Sequence, residues 1–181
     1  MSMNESTLIN ERAGTDGAEQ RRVELRVRER TPACVTDVIE DVTARLRRLE
    51  GDAVSDVHLK SWGPRRLDTP EEAVTSTLET YRQWANQRGY SLDPAFRRRE
   101  TGSLIGQESH ARLVVPVLSL AVYEDGELAC VTPCTDGTTT YTVETCLEAL
   151  EAGVTDLPEA LGEFEQSPAG TADLERGWEP A

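Results

Sequence analysis

The change of hydrophobic period between residues 22 and 49 constrains the fold of this chain more than any other feature. Residues 22–28 (RVELRVR) alternate strictly, with Val23, Leu25 and Val27 on one side and Arg22, Glu24, Arg26 and Arg28 on the other. A period of two is the mark of a strand with one face against a core and one toward water. Thr31-Pro32 then supplies a capping residue and a proline suited to the first helical position. Val35, Val38, Ile39, Val42, Leu46 and Leu49 follow at helical spacing until Gly51 ends the run. A strand that leads straight into an amphipathic helix has two apolar surfaces to bury, and packing helix on sheet buries both.

The same signals recur downstream. Residues 54–62 (VSDVHLKSW) predict a second strand, with Val57 and Leu59 on one side and His58, Lys60 and Trp62 on the other, ended by Gly63-Pro64. Thr69-Pro70-Glu71-Glu72 reads as a capping box. The helix it opens has an apolar stripe of Val74, Leu78, Tyr81 and Ala85, flanked by Trp84 and closed by Gly89. Leu92–Phe96 then predicts the start of a short helix that carries Arg97, Arg98 and Arg99. Residues 111–123 (ARLVVPVLSLAVY) are apolar on both faces, as in a strand buried on two sides, with Pro116 marking a bulge or an edge. Asp125-Gly126 turns into a strand at 127–132, and Thr142 caps a last helix that stops at Gly153. The order β-α-β-α-β-β-α predicts an α+β domain over residues 20–153, a small mixed or antiparallel sheet with helices packed on one face. Residues 1–19 and 154–181 lack periodicity, which predicts a disordered N-terminal segment and a flexible acidic tail.

Charge bounds the setting. The chain has 33 acidic residues and a net charge of −14, and Lys60 is its one lysine against eighteen arginines. Carboxylates hold water and hydrated cations, whereas lysine brings a long apolar stem under its charge. At 1 M salt the Debye length is about 3 Å, so self-repulsion at this charge is screened. The composition therefore predicts a salt-rich cytoplasm such as that of haloarchaea. Charge is also uneven: residues 1–100 hold 17 basic and 18 acidic side chains, residues 101–181 only 2 against 15. The longest apolar run, Leu113 to Tyr123, falls short of the roughly 20 residues a bilayer requires. Residues 1–19 lack the basic start and hydrophobic stretch of a secretory signal, so a cytoplasmic protein without a membrane partner is expected.

Catalytic signatures are missing. Gly102-Ser-Leu-Ile-Gly106 lacks the lysine of a phosphate loop, and His58 and His110 have no recognisable triad partners. The expectation is a non-enzymatic protein without a cofactor. Cys130 and Cys134 stand four apart, within the range of metal-ligand spacings, and Cys146 with His58 or His110 would complete four ligands. The other reading is that these thiols, like Cys34, are small apolar fillers. A sheet covered on one face would expose Arg22, Arg26, Arg28, His58, Lys60 and Trp62 on the other. Trp62, Arg26 and Lys60 then form a candidate interface for a protein partner or a second copy, since tryptophan and arginine dominate binding hot spots. Against that, Trp62 could simply pack under a loop.

Several segments carry a family resemblance: VELRVR, VSDVHLKSWG, YRQWANQRGYSLDPAFRRRE, LAVYEDGEL, VTPC and YTVETCLEALEAG. On these the stretch Val23–Gly153 resembles a family of small haloarchaeal proteins labelled as helix-turn-helix domain proteins. The resemblance implies a transcriptional regulator that binds DNA, and carries no active-site residue with it. The residues offer one place for the motif: Thr69–Arg88, a turn at Gly89-Tyr90-Ser91, and a second helix at Leu92–Glu100. That helix would present Arg97, Arg98 and Arg99 to phosphates or guanine edges, with Arg65 and Arg66 extending the patch. The competing reading pairs these arginines with the abundant carboxylates.

Overall fold

The computed structural model describes residues 20–63, 66–67, 70–102, 109–154 and 156–162. Strand β1 (Arg21–Arg28) leads through helix α1 (Ala33–Leu49) to β2 (Asp56–Gly63) and the two-residue β3 (Arg66–Leu67). Helix α2 (Glu72–Arg88) is followed by β4 (Arg97–Gly102), β5 (Ser109–Val114), β6 (Leu118–Glu124) and β7 (Glu127–Thr132). A small pair, β8 (Cys134–Thr135) and β9 (Thr140–Tyr141), precedes α3 (Val143–Glu151). Four strands form one sheet in the order β2-β1-β6-β7, and three form a second in the order β3-β5-β4. The α+β class expected from the sequence is the class observed.

In the four-stranded sheet β1 runs parallel to β2 and antiparallel to β6. Register places Val23, Leu25, Val57, Leu120, Val122 and Cys130 on one face. Helix α3 covers that face, its Cys146 meeting Cys130. Helix α1 lies beside α3, with Arg45 hydrogen-bonded to Glu144 and Glu151. Glu24, Arg26, Lys60, Trp62 and Ser119 belong to the other face, and α2 lies there: Thr77 reaches Arg26, and Tyr81 packs edge-on to Trp62 at 6.1 Å. The helices therefore divide between the two faces, α1 and α3 on one and α2 on the other. The sequence suggested a one-sided packing because the Arg22–Arg28 side of β1 looks wet; a buried ion-pair network makes it dry.

Cap residues account for the helix ends in part. Thr142, the cap the sequence predicts at α3, forms a reciprocal capping box with Thr145. Gly89 closes α2 in the left-handed conformation, φ 77°, which only glycine adopts without cost. Helix α2 starts later than its capping box suggests, at Glu72, with no side-chain cap, and α1 likewise starts after Pro32 without one. Asp125 and Gly126 both have positive φ, the geometry of the tight β6–β7 turn. The apolar run at 111–123 is split: Leu113 ends in the small sheet and Leu120 in the large one, with Pro116 in the gap between β5 and β6. Packing continues past Gly153, because Leu157 and Leu161 are fully buried in the core. The predicted N-terminal segment 1–19, and residues 163–181 of the predicted tail, lie outside the described residues.

The outer edge of β2 is guarded. The Val57 amide donates to Glu50 at 3.1 Å and its carbonyl accepts from Arg47 at 3.3 Å, while Arg47 and Glu50 pair with each other at 2.9 Å. Side chains that occupy edge groups in this way stop the strand from recruiting another. No described helix is long and apolar enough to cross a membrane.

Candidate nucleic-acid interface

Residues 92–100 do not form the second helix of a helix-turn-helix. Leu92 and Phe96 are buried anchors of a single turn, closed by the Phe96 amide on the Leu92 carbonyl at 2.9 Å. The chain then extends, and Arg97 opens β4. Phe96 sits at 5.6 Å from Trp62 and 6.3 Å from Tyr81, and this aromatic triad fixes the turn against α2. Helices α1 and α2 are separated by strands, as are α2 and α3, so no two described helices are joined by a short turn.

The strand reading changes which arginines act together. In β4 and β5, Arg97 stands opposite Val114, Arg98 opposite Leu113, and Arg99 opposite Arg112; on the other edge Arg66 stands opposite Val114 and Leu67 opposite Leu113. Residues opposite one another share a face and alternate residues change it. Positions 66, 97, 99, 112 and 114 thus form one face, and positions 67, 98 and 113 the other. Leu113 is buried toward α2, so Arg97, on the opposite face, points away from the helix. Arg97 is exposed. The three strands hold five arginines and one acid, Glu100, within a chain of net charge −14.

Arg98 joins a different set. With Arg82, Glu79 and Leu78 of α2 and with Leu113 it lines a cleft between that helix and the small sheet. Among the described residues no carboxylate pairs with Arg82, Arg97 or Arg98. Arg21, Arg26, Arg45, Arg47 and Arg88 all have carboxylate partners. Arg66 belongs to β3, and Arg65 lies outside the described residues.

The predicted partner interface around Trp62 is buried instead. Trp62 is 1% exposed, its indole N–H donates to Ser119 at 2.8 Å, and Arg26 lies over its ring at 4.7 Å. Arg26 donates to Glu24 at 2.5 Å, and Lys60 reaches the other carboxylate oxygen at 2.6 Å. Burial pushes the Glu24 carboxyl up, but the hydrogen bond from Lys60 and the charge and hydrogen bond of Arg26 outweigh it and hold Glu24 below the usual carboxylate range. A partner would have to displace α2 to touch Trp62, so Trp62 and Arg26 are core, while Lys60 remains exposed. Strand alternation could not reveal that, because Glu24, Arg26 and Lys60 look like solvated residues until they are seen to neutralise one another.

Cys130, Cys134 and Cys146 do converge, and all three are buried. The Cys146 contact and burial both raise Cys130, and burial pushes the Cys134 thiol up to about 12. Buried side by side, the three fit the reading of small apolar fillers. Among the described residues no group of three or more histidine, cysteine or acidic side chains stands ready to hold a metal. His58 pairs with Asp56 at 2.5 Å, away from the thiols.

The family described as "Helix-turn-helix domain" matches residues 15–155. The chain belongs to that family. That description suggests a DNA-binding regulatory role. No curated protein and no solved structure matches the chain. In this member of the helix-turn-helix family Arg97 and Arg98 lie on a strand, with no carboxylate partner among the described residues. Two positions escaped sequence reasoning: 112, hidden at the head of an apolar run and opposite Arg99 in register, and Arg82 of α2, which lines the cleft with Arg98. The signal that could have found Arg112 is the alternation Arg97, Arg99 against His110, Arg112, which becomes visible once both segments are read as strands.

Proposed function

We propose that the chain is a non-enzymatic regulator that binds duplex DNA through the outer face of the β3-β5-β4 sheet, in a cytoplasm of high salt. One observation carries the reading: the strand register gathers positions 66, 97, 99 and 112 onto one face of a small sheet in an otherwise acidic protein. The major groove admits a two-stranded ribbon as readily as a helix, and arginine reads guanine there through paired hydrogen bonds. Arg97 and Arg99 are the primary contacts, with Arg66 and Arg112 beside them and Arg65 adjacent in sequence. The surrounding carboxylates repel nucleic acid everywhere else, which orients the approach. Phosphate contacts weaken steeply with salt, so at molar KCl the base contacts must supply most of the affinity.

The test is selection from a random duplex pool, followed by affinity measurements over a KCl series with wild type and the Arg97→Ala/Arg99→Ala double variant. The expected result is an enriched sequence and at least a tenfold loss in the variant. If both arginines bind phosphate, the slope of log K against log salt should also fall by about 1.8, at roughly 0.9 for each contact. Equal affinity and slope for the two proteins would exclude the sheet as the interface.

A further inference from the structure

The cleft behind the arginine sheet has a composition that the DNA reading does not use. Its volume is about 140 Å³; Pro70, Leu78 and Leu113 give it apolar walls, and Arg82, Arg98 and Glu79 its charges. Leu78 and Leu113 are buried in the core, so the floor of the cleft is fixed. A cavity of about 150 Å³ accepts one benzene ring. Small-molecule sites are built in this way, apolar walls with a few converging polar groups. Two arginines without a described carboxylate partner stand at its rim in a protein rich in carboxylates. Against them stands one exposed carboxylate, Glu79, which leaves a single net positive charge.

We propose that this cleft binds a small amphipathic monoanion, a carboxylate on a ring-sized apolar body. The two guanidinium groups hold the carboxylate through charge-assisted hydrogen bonds, the body lies against Leu78, Leu113 and Pro70, and Glu79 disfavours dianions such as phosphate. The position of the cleft gives it a role that rests on the DNA reading. Arg98 belongs to the same strand as Arg97 and Arg99 but faces the opposite way, so a ligand that draws Arg98 toward α2 acts on the strand that presents the other two. Coupling of this kind is reciprocal: ligand alters DNA affinity by the factor by which DNA alters ligand affinity.

Benzoate is the probe, with benzamide as its uncharged counterpart and inorganic phosphate as the anion without an apolar body. The amide spectrum of the free, full-length, isotope-labelled protein is followed during each titration at fixed ionic strength. Benzoate should give saturable shifts confined to α2, β4 and β5, benzamide at least tenfold weaker ones, and Arg98→Gln should weaken benzoate binding at least tenfold while the rest of the spectrum is unchanged. Equal response to benzamide, competition by phosphate at equal concentration, or no saturable shift would each overturn the site. Saturating benzoate should then change the affinity for selected DNA at least threefold, and an unchanged affinity would remove the regulatory role. Because the cleft is assayed on free protein, a chain that binds benzoate but no DNA would defeat the DNA reading alone.

Discussion

Two sheets in this molecule treat the same residue type in opposite ways. Strand β1 reads RRVELRVR and β4 reads RRRETG, and both are rich in arginine. On β1 the neighbour two residues from Arg26 on the same face is Glu24, and the pair closes at 2.5 Å under α2. On β4 the neighbour two residues from Arg97 is Arg99, and across the ladder from Arg99 stands another arginine. Residues two apart on a strand share a face, so the sign of the charge at that spacing separates an arginine neutralised beside it on its own strand from one that is not. The large sheet pairs Arg21, Arg26 and Lys60 with carboxylates. In the small one Arg97 is exposed, with no carboxylate partner among the described residues.

The sharpest break of this comparison lies in the large sheet. Trp62 was a candidate contact surface and is instead fully buried between Tyr81, Phe96 and Arg26. Trp62→Ala should destabilise the fold by about 3–5 kcal/mol, the range for large aromatic truncations in a core, as read by denaturant unfolding. A loss below about 1 kcal/mol would mean that α2 does not cover that face.

Glu24 comes next. Removing one partner of a buried ion pair costs about 3–5 kcal/mol, because the other charges remain without compensation; Glu24→Gln keeps the hydrogen-bonding shape and should fall at the lower end. The carboxyl is held below its ordinary value of 4.5 in the folded state, so the unfolded chain takes up more protons as pH falls through that region. The stabilisation is therefore complete above about pH 4.5 and is lost as pH drops below it toward the folded value. Unfolding free energies measured from pH 6 to pH 3 should fall less steeply in Glu24→Gln than in wild type. Parallel profiles would show that Glu24 is not held ionised by Arg26 and Lys60.

How much of this was legible in the sequence follows from the same contrast. Period-two and helical patterns located β1, α1, β2, α2, β6, β7 and α3, because each has an apolar face that must be buried. The capping threonine of α3 was readable for the same local reason, as was the Asp125-Gly126 turn. What failed was whatever depended on a partner distant in sequence. Arg97, Arg98 and Arg99 have no apolar alternation, so their extended state comes from pairing with residues 109–114. Trp62 and Arg26 looked wet because only the arrival of α2, and the cancellation of Glu24 by Arg26 and Lys60, make that face dry. Leu157 and Leu161 looked like tail residues, since two leucines among acids show no period until they meet the core.

Between the two sheets lies an intermediate case that sharpens the rule at its weakest end. Arg45 of α1 bridges Glu144 and Glu151 of α3; its hydrogen bonds to Glu151 and then Glu144 raise its own pKa and outweigh the partial burial that lowers it. The carboxylates are well exposed, so the bridge is solvated on one side, and exposed pairs contribute about 1 kcal/mol or less. Arg45→Gln should therefore cost at most about 1 kcal/mol at 0.1 M salt, where the Debye length is about 10 Å, and close to nothing at 1 M, where it is about 3 Å. Arg97→Ala, with no described carboxylate to lose, should stay within about 0.5 kcal/mol at both salts. Thermal melts of the two variants across a KCl series separate these outcomes. A salt-dependent cost at Arg97 equal to that at Arg45 would reveal a carboxylate partner for Arg97, and the small sheet would then be neutralised from within, as the large one is.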